Sequence, residues 1–169
     1  MRKSENPVKP VGIFVLAALL CFVLDALTKM AAEHFLQKDC SFSPLLILTL
    51  EHNTGLAFSL FQESAWLTCL LPLVAFGAGY WLLRPYQLTR LTAALCGVIT
   101  GGFLGNLSQR LIFGYVTDML YFPWLPWFVC NIADIGICCG VAVLAITLIF
   151  CPGQWQEKKQ SEDETHDIA

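Results

Sequence analysis

The stretch Cys130-Asn131-Ile132-Ala133-Asp134 sets a carboxylate at the mouth of an apolar run that continues to Phe150 with no other ionisable group except cysteine. At about 1.5 Å per helical residue, Ile132 to Phe150 spans roughly 30 Å, the thickness of one bilayer core. An acid costs about 2.5 to 3.5 kcal/mol at mid-membrane on insertion scales, and less near the interface, so Asp134 is a candidate functional group. A structural reading fits the same residues. Asn131 is a good helix N-cap, and Asp134, three positions on, can answer free backbone N–H groups and the positive end of the helix dipole. The rest of the chain separates the two readings, above all a second acid, Asp118, just outside the preceding apolar run.

Composition assigns the stretch to a membrane protein. The 169 residues are 56% hydrophobic and 14% charged, with a mean hydropathy of +0.62, too apolar for an ordinary soluble domain. A net charge of -3 with scattered basic residues argues against nucleic acid as a partner. The eight cysteines form no C-x-x-C pair and most lie in apolar runs, where Cys behaves as a small hydrophobe. His34, His52 and His166 are far apart and H-E-x-x-H is missing, so no metal site is expected.

Four spans are predicted, at about 11–28, 65–83, 91–110 and 132–150. The first follows Arg2, Lys3 and Lys9 as a signal peptide would, but cleavage after Ala31 or Ala32 would put Lys29 or Met30 where a small residue is wanted, so it reads as a retained span. Asp25 and Lys29 share a helix face within it, and a local ion pair is the simplest account of them. Between spans one and two, the strand-length runs Leu45–Leu50 and Leu56–Phe61 flank Asn53-Thr54-Gly55, which predicts a hairpin. Trp66, Tyr80 and Trp81 bracket span two as an aromatic belt, Pro72 is a candidate kink, and Tyr121–Phe128 reads as an interfacial aromatic loop. Residues 1–152 form one membrane-embedded domain in this reading, and 153–169 a disordered tail.

Gly97, Gly101 and Gly105 recur every fourth residue in span three, and Gly136 and Gly140 repeat the spacing in span four, which predicts that these two spans pack together. Such packing would gather Asn106, Arg110, Asp118 and Asp134 at one end of the bundle. Arg2, Lys3, Lys9, Arg84, Arg90, Lys158 and Lys159 fall on one side of the four spans, against Lys29, Lys38 and Arg110 toward the other. Both termini are thus expected in the cytoplasm, with the acids and the hairpin at the outer face. Two facing carboxylates suggest aspartic proteolysis, since close like charges keep one acid protonated beside an ionised partner, a general acid and a general base in one site.

The motifs Asp25-x-x-Thr28-Lys29, Asn53-x-Gly55-x-Ala57-Phe58, Gly101-Gly102-x-x-Gly105-Asn106-x-x-x-Arg110 with Gly114-x-Val116-x-Asp118, and Phe128-x-x-Asn131-x-Ala133-Asp134 occur in this order, each at a membrane boundary. In them the chain resembles the bacterial lipoprotein signal peptidases (signal peptidase II), over nearly everything between the two tails. The resemblance implies an all-α integral membrane protein with four transmembrane helices and a small extracytoplasmic β-cradle. It implies Asp118 and Asp134 as the catalytic dyad, with Asp25, Lys29, Asn53, Gly55, Asn106, Arg110 and Asn131 lining or supporting the site. The implied partners are membrane lipid and diacylglyceryl-modified prolipoproteins, cut before the lipidated cysteine at the bacterial inner membrane by a monomer with no metal or cofactor. Gln109 departs from the pattern, which usually has an acid before the arginine; this puts a local salt bridge in doubt. From the residues alone two other readings stand beside the peptidase, a small transporter or proton relay and a structural membrane subunit. A transporter should carry its ionisable groups near mid-membrane with paths to both sides, whereas here they crowd one end.

Overall fold

The structure is a computed structural model that describes residues 9–55, 65–126 and 128–157. Four helices, α1 (Pro10–Phe35), α2 (Ala65–Leu83), α3 (Arg90–Phe113) and α4 (Ile132–Phe150), are long and apolar enough to cross a membrane. A four-stranded antiparallel sheet lies between them in sequence: β1 (Cys40–Ser43), β2 (Leu46–Asn53), β3 (Val116–Tyr121) and β4 (Val129–Cys130), in the order β1-β2-β3-β4. The large apolar side chains left exposed include Val15, Leu19 and Leu27 on α1 and Val141, Leu148 and Ile149 on α4. Such faces suit a lipid solvent rather than water.

Helix α3 is central, packing on α1, α4 and α2. It starts from a Thr89–Thr92 capping box and ends at Gly114, whose φ of 78° is the left-handed conformation that glycine adopts without a Cβ penalty. Its glycines are used differently from the sequence expectation. The face bearing Gly97, Gly101 and Gly105 meets α1, not α4: a Cβ at Gly97 would strike the Phe14 carbonyl, one at Gly101 the Ala18 carbonyl, and one at Gly105 would lie 2.6 Å from Asp25 Oδ2. Packing of α3 on α4 does occur, but through Gly102, which lies against Ala133, and through Gly136 and Gly140, which receive Val98 and Ile99. Adjacent residues of one helix point about 100° apart, so Gly101 and Gly102 serve two different neighbours.

The hairpin also differs from expectation. It joins β1 to β2 through Pro44-Leu45, with Cys40 opposite Leu48. Asn53-Thr54-Gly55 lies at the far end of β2, whose long edge is taken by β3, and the expected second strand, Leu56–Phe61, falls outside the described residues. At the C-terminal end, composition assigned residues from Gly153 onward to a tail, yet Pro152–Gln154 forms a short 3-10 turn and Glu157 bridges to Tyr86. Gln87 N–H donates to the Gln156 carbonyl at 2.7 Å and Thr89 Oγ1 to Gln154 Oε1 at 2.7 Å, tying this segment to the α2–α3 loop.

The glycine contacts generate a contrast. Gly101→Ala should lower stability by about 1 to 3 kcal/mol, because a methyl group would press on helix backbone that cannot move aside. Gly77→Ala, at a position with nothing within 4 Å, should leave the melting temperature in detergent unchanged or slightly raised. Equal effects at the two positions would contradict the packing described.

Candidate active site

The sheet and helix α4 are built as one piece. Strand β4 pairs with β3, placing Cys130 opposite Leu120, and runs directly into Asn131, the N-cap of α4. Asp118 on β3 is thereby brought to the start of α4, and its two oxygens each accept an amide. Asn131 Nδ2 donates to Oδ1 at 2.6 Å and Asn53 Nδ2 donates to Oδ2 at 2.9 Å. Asp134 is held by the same asparagine from the other side. Asn131 N–H donates to Asp134 Oδ2 at 3.2 Å, Asp134 N–H donates to Asn131 Oδ1 at 3.0 Å, and Asn106 Nδ2 donates to Asp134 Oδ1 at 2.8 Å. The helix-cap geometry is therefore present, and the residue that completes it also reaches the second acid.

Helix α1 supplies the charges behind this pair. Lys29 Nζ lies 2.7 Å from Asp25 Oδ2 and donates to Asn106 Oδ1 at 2.7 Å, which fixes the Asn106 amide so that its NH2 faces Asp134. Asp25 Oδ1 accepts from the Ala133 N–H at 2.9 Å, so an acid of α1 caps the first turn of α4. The pair is thus more than a local i, i+4 contact. Arg110 Nη2 donates to the Gly55 carbonyl at 3.0 Å, while Gly55 N–H donates to Asn53 Oδ1 at 2.9 Å, a local turn that leaves the Asn53 NH2 for Asp118. All nine residues singled out in the sequence meet here. A cavity of about 170 Å³ opens beside Asp134, lined also by Asn106, Arg110, Thr68, Pro72 and Phe103. Among the described residues, buried Arg110 Nε has no acceptor.

Four polar residues that the sequence did not single out as a group lie behind the sheet: Glu33, His52, Gln109 and Thr117. Glu33 at the end of α1 is the acid that a search for charges beside apolar runs would have reached.

Asp118 is 2% exposed. Burial first, and then the neighbouring Asp134 carboxylate, push its carboxyl from an ordinary 3.8 up to about 6, against the two amide donors and Lys29, which favour the charged form. Burial, with the same two carboxylates nearby, also pushes the Cys130 thiol up to about 12, leaving it protonated and chemically quiet.

Comparison with known proteins identifies the family of the chain. The family model described as signal peptidase (SPase) II matches residues 17–150. The chain belongs to the signal peptidase II family. A lipoprotein signal peptidase of Caulobacter vibrioides is 40% identical over 144 residues, covering 76% of this chain and 82% of that one. One from Teredinibacter turnerae is 34% identical over 142 residues, covering 79% and 84%. The fold matches a solved bacterial membrane enzyme with a TM-score of 0.73 at 21% identity, covering 88% of this chain and 94% of the other. As a member of the signal peptidase II family the chain is a membrane aspartic peptidase, which excludes the transporter and structural-subunit readings.

The raised Asp118 carboxyl has a thermodynamic signature. Between about pH 4 and about pH 6 the folded chain holds this proton more tightly than the unfolded chain, so stability falls as pH rises through that window. The melting temperature should decline across it, and the decline should be shallower in Asp118→Asn. Parallel melting-versus-pH curves for the two proteins would show that Asp118 carries no raised pKa.

Proposed function

We propose that this signal peptidase II removes signal peptides from diacylglyceryl-modified prolipoproteins, cutting before the lipidated cysteine with water activated by Asp118 and Asp134. The observation that carries the reading is the junction at Asn131, where one residue holds both acids, the buried Asp118 and the half-buried Asp134, at one end of the bundle. The pair holds one proton and titrates as a unit. Its carboxylate takes a proton from water as water attacks the scissile carbonyl, and its carboxylic acid hydrogen-bonds that carbonyl oxygen and then protonates the leaving amine. Arg110, whose Nε faces no acceptor among the described residues, offers a donor to a substrate carbonyl. The acyl chains of the modified cysteine stay in the bilayer and keep the preceding peptide bond near the membrane surface, raising its effective concentration at the acids.

In this reading both termini are cytoplasmic and the sheet is an extracytoplasmic cradle over the outer end of the bundle. Two of the three basic residues on the outer side, Lys29 and Arg110, are engaged with Asp25 and Gly55. The charge bias toward a cytoplasmic Arg84–Arg90 turn is accordingly strong. Reporter fusions after Arg90 should read cytoplasmic and fusions in residues 36–45 external; the opposite pattern would invert the orientation.

The dyad is tested against the helix-cap role by Asn substitution, since Asn still makes cap hydrogen bonds but cannot ionise. Asp118→Asn and Asp134→Asn should each insert and melt cooperatively yet cut a lipidated precursor at least about 100-fold more slowly. The double variant should be hardly worse than either single one, because the acids work together. Wild-type protein should also cut the diacylglyceryl precursor far faster than one with an unmodified cysteine. Substantial cleavage by either Asn variant, alongside a lowered melting temperature, would reduce the two acids to structural caps.

A further inference from the structure

Side chains alternate across the β2–β3 pair, so the two strands have a front and a rear. Asn53 and Asp118 share the front, where Asn53 reaches Asp118 diagonally. His52 and Thr117, directly opposite each other in the register, share the rear. Thr117 is 0% exposed, and every polar group it presents to the rear is engaged. Its N–H donates to Gln109 Oε1 at 2.9 Å, its hydroxyl donates to Glu33 Oε1 at 2.7 Å, and the same hydroxyl oxygen accepts from Gln109 Nε2 at 3.1 Å. Glu33 Oε1 also lies 2.8 Å from His52 Nε2, and the His52 ring packs on Tyr115 with centroids 4.2 Å apart. One threonine thus ties the end of α1 and the last turns of α3 to the strand position immediately before Asp118.

We propose that Glu33, Gln109 and Thr117 are positioning residues for Asp118, a clamp on the rear of the strand whose front carries the acid; this rests on the reading of Asp118 as one of the catalytic pair. The clamp acts through strand geometry. A slip of one residue in β3 would turn Asp118 to the rear, and smaller shifts lengthen the 2.6 Å and 2.9 Å bonds from Asn131 and Asn53. Misplacement by about 1 Å costs on the order of 100-fold in rate.

The hydrogen-bond count also explains the neutral amide at position 109. The Thr117 hydroxyl has one proton, and it goes to Glu33; Gln109 must therefore donate to the hydroxyl while accepting from the backbone N–H. A carboxylate at 109 would set two acceptors and two negative charges against one proton.

The test is a set of variants assayed on a lipidated precursor, with kcat and KM separated and melting temperatures measured in the same detergent. Gln109→Glu and Thr117→Val should each lower kcat by about 10- to 100-fold with KM changed less than about threefold. Thr117→Ser and Glu33→Gln, which keep the hydroxyl and the acceptor, should lose less than about threefold. Pairing Gln109→Glu with Glu33→Gln exchanges the acid and the amide, and should recover most of the kcat lost in Gln109→Glu alone. Recovery in the exchanged pair supports the clamp even if Thr117→Val fails to fold. Unchanged kcat in Gln109→Glu, or no recovery in the exchanged pair, overturns it. Asp118→Asn run alongside separates the two ideas: an active Asp118→Asn sinks the dyad, whereas an inactive Asp118→Asn beside a fully active Gln109→Glu sinks only the clamp.

Discussion

The burial of Lys29 is the constraint on which the rest of the structure depends. Its ammonium, 2% exposed in a helix built to lie in lipid, cannot remain charged there without partners, because a buried charge is tolerated only when paired and hydrogen-bonded. Asp25 on the next turn of α1 supplies the countercharge, and Asn106 on α3 supplies an oxygen. Each partner has a second obligation. Asp25 caps the backbone of α4 at Ala133, and Asn106 hands its amide to Asp134. Satisfying one lysine therefore brings three helices to a single point and orients one acid of the pair.

Asn131 performs the corresponding task from the sheet side. As an N-cap it would need only its side-chain oxygen, which accepts from Asp134 N–H; its side-chain NH2 is left over and donates to Asp118. The structural and chemical readings of this stretch are thus two uses of one residue. The site combines two carboxylates that repel each other with a set of neutral amides, Asn53, Asn106 and Asn131, that stabilise charge without carrying any. That environment lets burial hold the Asp118 carboxyl near 6 while its oxygens keep fixed directions.

Close helix approach makes this geometry possible. Gly105 gives Asp25 room beside α3, since a Cβ there would lie 2.6 Å from the carboxylate oxygen, and Gly102 lets Ala133, the residue capped by Asp25, press against the adjoining face. Without a hydrophobic drive between helices in lipid, such contacts rest on packing and on polar bonds across the interface. The same region therefore sets small residues, Gly102 and Gly105, beside the hydrogen bonds of Asn106.

A family resemblance carried by ordered motifs pointed to the nine candidate site residues, and the membrane class and the four apolar helices could be read in the chain, because both depend on local chemistry: long apolar runs with polar residues at their ends. Partner choice could not. The spacing of Gly97, Gly101 and Gly105 announces a smooth face but not which helix lies on it, since a glycine stripe carries no chemical complement to name its neighbour. The hairpin was misplaced for a related reason. Asn53-Thr54-Gly55 has turn chemistry, and Asn53 does accept from Gly55 N–H, but its amide is directed to Asp118, a contact 65 residues away. The turn that joins β1 to β2 is Pro44-Leu45, at the start of the run expected to be a strand. The rear junction of Glu33, Gln109 and Thr117 was equally hidden. Hydrogen-bonding capacity is local and was legible residue by residue, whereas which donor meets which acceptor is decided only when the strands and helices converge.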